Sequence, residues 1–439
     1  KLFDAGLVYR KKGYVNWDPI DQTVLANEQV IDGKGWRSGA IIEKKEIEQW
    51  YIKITNYAEE LLSELDNLEG WPERVKNMQR QWIGKNNGTV ITFELKSNSG
   101  EHILNLDVFT TRPDTLMGAT YVSIAPEHDQ INKILSHSTN QKECLNYIEK
   151  SLKKQTAERS DATKDKTGIA IDVFAVHPIT KKPLPLYIAD YVLTDYGTGA
   201  VMAVPAHDER DHAFSKKYKL PIIEVINNKE STTPITEAAY TGSGDLMNSG
   251  SFSGLHSETA KETITNHLIK IKKGKREPQY KLRDWLISRQ RYWGTPIPMA
   301  YDDQGQPHPI DEDALPVTLP TDVNFNHKGN PIESSKAFET VQMNHQTLRR
   351  ETDTMDTFFD SSWYFLRYLS SKSNTHPFEK SKADHYCPID FYIGGIEHAC
   401  LHLLYARFFT KACRDLGLIN IDEPFKQLVC QGMVLKNGA

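Results

Sequence analysis

Asp390-Phe391-Tyr392-Ile393-Gly394-Gly395-Ile396-Glu397-His398-Ala399-Cys400-Leu401-His402 is the stretch on which the fold turns. Asp390 to Ile393 reads as a buried strand and Gly394-Gly395 as a tight turn. Ile396 to Leu416 reads as a helix, with Gly417 as its stop. Strand, glycine turn and helix form one unit of an open parallel α/β sheet, whose ligands gather at the strand's carboxyl end.

The rest of the chain divides around that unit. Residues 1–50 alternate short β-like runs with turns at Asp32-Gly33 and Ser38-Gly39. Tyr57, Leu61, Leu65 and Leu68 then recur at helical spacing, and Pro72 suits the opening of a next helix. From Thr89 strands dominate, beginning Val90-Ile91-Thr92-Phe93-Glu94-Leu95. A Lys-rich helical stretch is expected over 129–154, and a turn-rich segment over 222–254. Residues 301–341, rich in Pro, Asp and Asn, suggest a small loop-rich module. The expected layout is an α/β domain (51–88 and 276–439) interrupted by a β-rich insertion over 89–275.

Size and composition agree with several soluble domains: 439 residues, 39% hydrophobic and 25% charged. The apolar runs are too short to cross a bilayer, and no signal peptide opens the chain. A net charge of −5 argues against indiscriminate nucleic-acid binding but not against a local basic surface. Lys270, Lys272, Lys273, Lys275, Arg276, Lys281, Arg283, Arg289 and Arg291 lie among Tyr280, Trp285, Tyr292 and Trp293, a mixture suited to RNA or simply to solvation. Five scattered cysteines without a C-x-x-C pair read as reduced thiols of a cytoplasmic protein.

Three constellations carry chemistry. Thr110-Thr111-Arg112-Pro113-Asp114-Thr115 follows a strand, and so polar a loop suits a grip on an anionic ligand or a turn capping a helix. In Tyr196 to Asp211, an apolar strand leads into a turn holding His207, Asp208, Glu209, Arg210 and Asp211. Its carboxylates suit a helix N-terminus or a ligand's ammonium, and no activated side-chain nucleophile is evident. Third, His398 and His402 at i and i+4 would share a helix face, as metal-binding pairs do. Glu397 beside two neutral imidazoles suits a nucleotide or an amino acid equally well.

Taken together these stretches resemble the bacterial type of leucyl-tRNA synthetase over essentially the whole chain. Thr110 to Thr115 is similar to the family's threonine-rich editing peptide, and Gly197 to Asp211 to the facing wall. Asp284-Trp285 through Trp293-Gly294 resembles the return strand from the editing insertion. Asp356-Thr357-Phe358, Ser361-Ser362-Trp363-Tyr364 and Tyr392 through His402 resemble the walls of the synthetic site. Tyr392 to His398 distinguishes the leucyl enzyme from its isoleucyl and valyl relatives.

The resemblance implies a class I Rossmann-like parallel sheet, partial here, interrupted by a β-rich editing domain. It implies ATP-dependent attachment of leucine to tRNA(Leu) by a cytoplasmic monomer, with ATP and Mg used by the whole enzyme. Thr110, Thr111 and Asp211 would be catalytic in editing; Arg112, Asp114, Thr115, Tyr196, Met202, Val204, His207 and Asp208 would complete that pocket. Phe358, Ser361, Tyr392, His398 and His402 would shape the leucine pocket, and Gly394, Gly395 and Glu397 would face the nucleotide. The family's HIGH and KMSKS signatures would precede Lys1 and follow Ala439, so the chain alone is not expected to activate leucine. Residues 1–50 resemble the family's zinc ribbon, but Asp18, Lys34 and Ser38 stand where relatives often carry cysteines. No zinc is expected there, and packing alone is expected to keep the fold. Two other classes remain: a metal-dependent hydrolase built on His398 and His402, and a non-catalytic RNA-binding protein using the basic cluster.

Overall fold

The computed structural model describes residues 1–20, 23–25, 30–31, 33–35, 37–152, 159, 165–194, 197–227, 234–343 and 345–431, so Tyr196 lies outside the described residues. The chain forms two compact units, Lys1–Gly84 with Lys281–Ala439, and Lys85–Tyr280. The second begins four residues before and ends five after the insertion expected at 89–275.

Alternation of apolar residues makes the main sheet of residues 85–280. In the strand Lys85–Ser97, Ile91, Phe93 and Leu95 point inward, as Leu104, Leu106 and Val108 do in His102–Thr110. The seven-stranded sheet runs Ala200–Ala203, Tyr121–Ile124, Pro183–Ala189, Gly168–Val176, Lys85–Ser97 and Gly274–Tyr280, with His102–Thr110 also paired to Lys85–Ser97. The pair Pro183–Ala189 with Tyr121–Ile124 is parallel and the other pairings are antiparallel. Lys85 stands opposite Tyr280, so the first and last residues of the unit are neighbours in one ladder. The helix Ser257–Lys270 adds Ala260, Ile264 and Leu268 to the core.

The expected helix over 129–154 is two helices, Ile131–Leu135 and Gln141–Leu152. The break falls at Ser136 to Asn140, where Ser138 donates to Asn140 and the Asn140 amide to the Ala170 carbonyl. Such short polar side chains compete with helical bonding, which a count of lysines does not reveal.

In the other unit, Val8–Asp18 pairs with Glu43–Ile52 and Thr23–Leu25, and Trp285–Leu286 joins the far edge of Glu43–Ile52. Asp18 is wholly buried; it accepts from the Ser38 hydroxyl and, at 2.9 Å, from the Ile20 N–H. A hydrogen-bonded pair therefore ties this loop, rather than packing alone. These donors do not fit zinc: the carboxylate is already engaged, and the sequence has no Cys or His before His102. Tyr57, Leu61, Leu65 and Leu68 are all buried as the helical stripe requires. The helix itself is Ala58–Ser63, with tighter turns at Ile54–Tyr57 and Glu64–Asn67. Residues 299–350 carry a small four-stranded sheet of Pro307–Pro309, Met299–Tyr301, Gln346–Arg350 and Thr340–Met343.

The fold-deciding stretch departs from its reading in three ways. Its strand, Ile389–Gly395, includes both glycines, pairs in parallel with Phe425–Gln431, and is at most half-buried along its length. Tyr392 stacks on Phe425 at 3.8 Å, while Phe391 and Ile393 point outward at 61% and 67% exposure. No helix runs from Ile396: a short turn, Ile396–His398, precedes Leu401 at φ −111° and ψ −103°, and the helix is His402–Asp415. Neither Gly395 nor Leu401 offers a side-chain cap, so apolar spacing alone misplaces the start.

Candidate functional site

The sheet of residues 85–280 presents a cavity of about 320 Å³. One wall is the segment after His102–Thr110. Thr110 Oγ1 accepts from the Arg112 N–H at 2.9 Å, making a tight polar turn, and Pro113 opens the 3₁₀ turn Pro113–Gly118. Thr110, Thr111, Arg112 and Thr115 line the cavity. Asp114 does not: it lies buried beneath, with Arg112 Nε at 3.0 Å and Nη2 at 3.0 Å. Arg112 also donates to the carbonyls of Thr241 at 2.8 Å and Gly242 at 3.2 Å. Four of its five N–H groups are thereby directed into the protein. Thr115 is buried, its hydroxyl on the Arg112 carbonyl at 2.8 Å.

The facing wall comes from Ala200–Ala203 and the helix Glu209–Tyr218. Gly197 at φ +78° and Gly199 at φ +70° turn the chain into that strand through conformations that side chains resist. Met202 and Val204 supply apolar lining. Asp208 caps the helix, accepting from the Arg210 N–H at 2.9 Å and the Asp211 N–H at 3.1 Å, so of the two carboxylates it alone acts as the expected cap.

Asp211 turns inward and lines the cavity, only 5% exposed. Its oxygens accept from the Val204 N–H and the Tyr191 hydroxyl, each at 2.8 Å. Burial, and then the neighbouring Asp208, push its carboxyl up to about 7, against the pull of those two donors and Arg210. A buried carboxylate with free lone pairs facing a cavity suits a cation.

His207 lines the cavity but is occupied at both nitrogens. Nε2 accepts from the Val225 N–H at 3.0 Å, so Nδ1 carries the proton and donates to the Tyr240 carbonyl at 3.0 Å. Burial holds its pKa below the usual imidazole value. It braces the wall and has no lone pair left for a water. Sequence reading missed Phe109 and Tyr191, which also line the cavity, and it named Arg210 in the facing wall without giving it a role.

In the other unit, Phe358, Ser361, Tyr392, His398 and His402 lie together. Tyr364 and Tyr392 hydroxyls meet at 2.8 Å, Tyr392 meets His402 Nε2 at 2.6 Å, and His402 Nδ1 meets Ser361 Oγ at 3.2 Å. Burial, then His398, lower the pKa of His402 to about 4. The two histidines share no helical face, since the helix begins at His402, and their rings stand at 89° with centroids 6.1 Å apart. Among the described residues no three His, Cys, Asp or Glu side chains are placed to hold a metal. Gly394 and Gly395 end their strand, and a Cβ on Gly395 would overlap the exposed Glu397 carboxylate.

Four of the nine cations in the basic cluster form ion pairs. Lys273 binds Glu94, Lys275 binds Glu277, Arg276 binds Glu262 and Arg289 binds Asp356. Trp285 is buried, whereas Trp293 is 73% exposed.

Comparison with known proteins follows this division. The family "tRNA synthetases class I (I, L, M and V)" matches residues 1–95 and 260–438, and "Leucyl-tRNA synthetase, editing domain" matches 80–269. A leucine–tRNA ligase of Alcanivorax borkumensis is 53% identical over 441 residues, covering 100% of this chain and 53% of that protein. One of Legionella pneumophila is 51% identical over 440 residues, with 100% and 52% covered. The solved ternary complex of Agrobacterium radiobacter K84 agnB2 LeuRS with tRNA and LeuAMS aligns at TM-score 0.82 and 41% identity, covering 98% of this chain and 50% of that one. The chain thus spans about half the length of the relatives it matches.

Proposed function

The chain belongs to the class I tRNA synthetases of the isoleucyl, leucyl, methionyl and valyl group, and from that premise we propose that it works as part of a leucine–tRNA ligase whose residues 85–280 hydrolyse mischarged aminoacyl-tRNA(Leu). The observation that carries the proposal is the cavity itself. A buried carboxylate, Asp211, and a threonine-rich turn line one small, partly apolar space.

The need for such a site is energetic. One methylene more or less in a hydrophobic pocket is worth about 1–3 kcal/mol, so norvaline and isoleucine would be charged too often by a leucine pocket alone. A second pocket that refuses leucine and hydrolyses the rest supplies the missing discrimination. Asp211, when ionised, pairs with the α-ammonium of the aminoacyl group. Met202 and Val204 line the side-chain space, and Thr115 supplies the bulk that leucine's branch meets. Thr110 and Thr111 hydrogen-bond the ester or the attacking water. The water oxygen bonds to the acyl carbon, the bond to the ribose oxygen breaks, and that oxygen gains a proton. Positioning and polar stabilisation suffice for this ester, so no side-chain nucleophile is required. Arg112 serves mainly to build the wall, with one N–H remaining for the terminal nucleotide.

In the whole enzyme Phe358, Ser361, Tyr392, His398 and His402 would enclose leucine, with Gly394, Gly395 and Glu397 toward ATP. Leucine, ATP and tRNA(Leu) are its substrates. ATP and the accompanying Mg belong to that larger activity, and no step here is routed through them.

The test is release of norvaline from norvalyl-tRNA(Leu) by this chain, wild type beside Asp211→Ala, with leucyl-tRNA(Leu) as control. Release by the wild type, loss in the variant and survival of the leucyl ester are expected. Equal release by both proteins would remove Asp211 from the mechanism.

A further inference from the structure

The Asp211 carboxylate is aimed by two donors from outside its own helix. One is backbone, the Val204 N–H at 2.8 Å; the other is the Tyr191 hydroxyl, also at 2.8 Å. Tyr191 is buried and lines the cavity beside the acid. Its hydroxyl also meets that of Tyr121 at 3.0 Å, and the Tyr121 hydroxyl lies 3.4 Å from the Asp211 carbonyl.

The backbone on either side of Tyr191 is clamped. Arg159, 6% exposed, donates to the Asp190 carbonyl at 2.7 Å and the Val192 carbonyl at 2.8 Å. The same guanidinium takes Glu127 in a two-pronged pair at 3.0 Å and 3.0 Å. The Asp190 carboxylate in turn accepts from the Thr167 N–H at 2.8 Å and the Thr167 hydroxyl at 2.6 Å. Charge-assisted, bidentate contacts of this kind fix direction as well as distance. A phenol carried between two such anchors is held in place before any substrate arrives.

We propose that Tyr191, clamped by Arg159, is a positioning residue: its hydroxyl fixes the direction of the Asp211 carboxylate and favours the ionised form that a substrate's ammonium requires. The proposal rests on the reading of Asp211 as the ammonium anchor. Among the described residues the titratable and charged groups beside this carboxylate are few. Asp208 and Arg210 come from its own helix and cap and bind each other at 3.1 Å; Tyr191 follows the strand Pro183–Ala189, and Tyr121 opens the strand Tyr121–Ile124. Burial and Asp208 favour the protonated acid, and the two donors oppose them. With one donor gone, a larger fraction is neutral at pH 7, and a neutral carboxyl cannot pair with an ammonium.

Tyr191→Phe keeps the ring and deletes the hydroxyl. In protein labelled with ¹³C-aspartate, the Asp211 resonance (assigned by its loss in Asp211→Asn) should titrate about one pH unit higher in Tyr191→Phe, a tenfold change in ionisation equilibrium. KM for norvalyl-tRNA(Leu) at pH 7 should rise by up to about tenfold with kcat little changed, and the loss should shrink as pH rises toward 8.5. Replacing Tyr191 with 3-fluorotyrosine, an isosteric and stronger donor, should move the midpoint downward. A midpoint and pH profile that overlay the wild type in both variants would overturn the proposal, as would a rise in KM equal at every pH. Should the wild type release no norvaline, or Asp211→Asn remain fully active, the reading of the site fails instead, and the titration still decides whether Tyr191 governs Asp211.

Discussion

The guanidinium of Arg112 lies 3.0 Å from the carboxylate of Asp114, two residues along, and Asp114 has no exposed surface at all. The pair holds the threonine-rich turn against the carbonyls of Thr241 and Gly242. Asp114→Ala should therefore act on the turn rather than on substrate. Breaking a buried pair costs about 3–5 kcal/mol, and because Arg112 is partly exposed about 2 kcal/mol is expected here. A lowered urea midpoint with loss of norvalyl-tRNA hydrolysis is the predicted result; unchanged stability would show that the turn does not depend on the pair.

Asp211 should impose a pH dependence of its own on folding. Its folded-state carboxyl titrates at about 7, above the unfolded value of 3.8. The stability it contributes is full below about pH 4 and is lost as pH rises through about 7. Wild type should lose up to about 1.4 kcal/mol per pH unit across that window relative to Asp211→Asn. Hydrolysis should run the opposite way, falling below about pH 7 as the anchor protonates. Denaturation midpoints at pH 5 and pH 8, beside a pH–rate profile, check both signs.

Thr115 separates bulk from hydrogen bonding. Its hydroxyl is spent on the Arg112 carbonyl at 2.8 Å, so exclusion of leucine should depend on its volume. Thr115→Ala should begin to hydrolyse leucyl-tRNA(Leu), by about tenfold or more over wild type, since space for a methyl is worth about 1–3 kcal/mol. Thr115→Val should still spare it. Leucyl-ester hydrolysis by the valine variant equal to that by the alanine variant would assign the selectivity to the hydroxyl.

His207 should take no part in proton transfer. With Nε2 accepting from Val225 and Nδ1 donating to Tyr240, the ring is neutral and fully engaged. Its imidazole signals should titrate below the ordinary histidine range in an NMR series. A midpoint at or above the ordinary value would show a ring freer than these contacts allow.

The sequence made the pocket's two walls legible because each is a short continuous run: Thr110 to Thr115, and Gly197 to Asp211. Residues close in sequence reveal their chemistry by type alone. Tyr191 and Arg159 did not, since their meaning lies in pairings across the fold, to Asp211 and to the carbonyls beside Tyr191. The parallel strand at Ile389–Gly395 was legible in its apolar run. The helix after it was placed six residues early, because periodicity cannot report a backbone break such as that at Leu401.

The pairing of Lys85 with Tyr280 has a consequence for how the chain folds. Closing a long loop carries an entropic cost that grows only with the logarithm of its length. Here the sheet of residues 85–280 makes that closure with its own ladder, and Lys281 resumes within hydrogen-bond reach of Gly84 and Ile83. To the polypeptide on either side, everything between behaves as a tight hairpin. An insertion of this form can lengthen, shorten or vary its rim without asking the host sequence to search a larger conformational space.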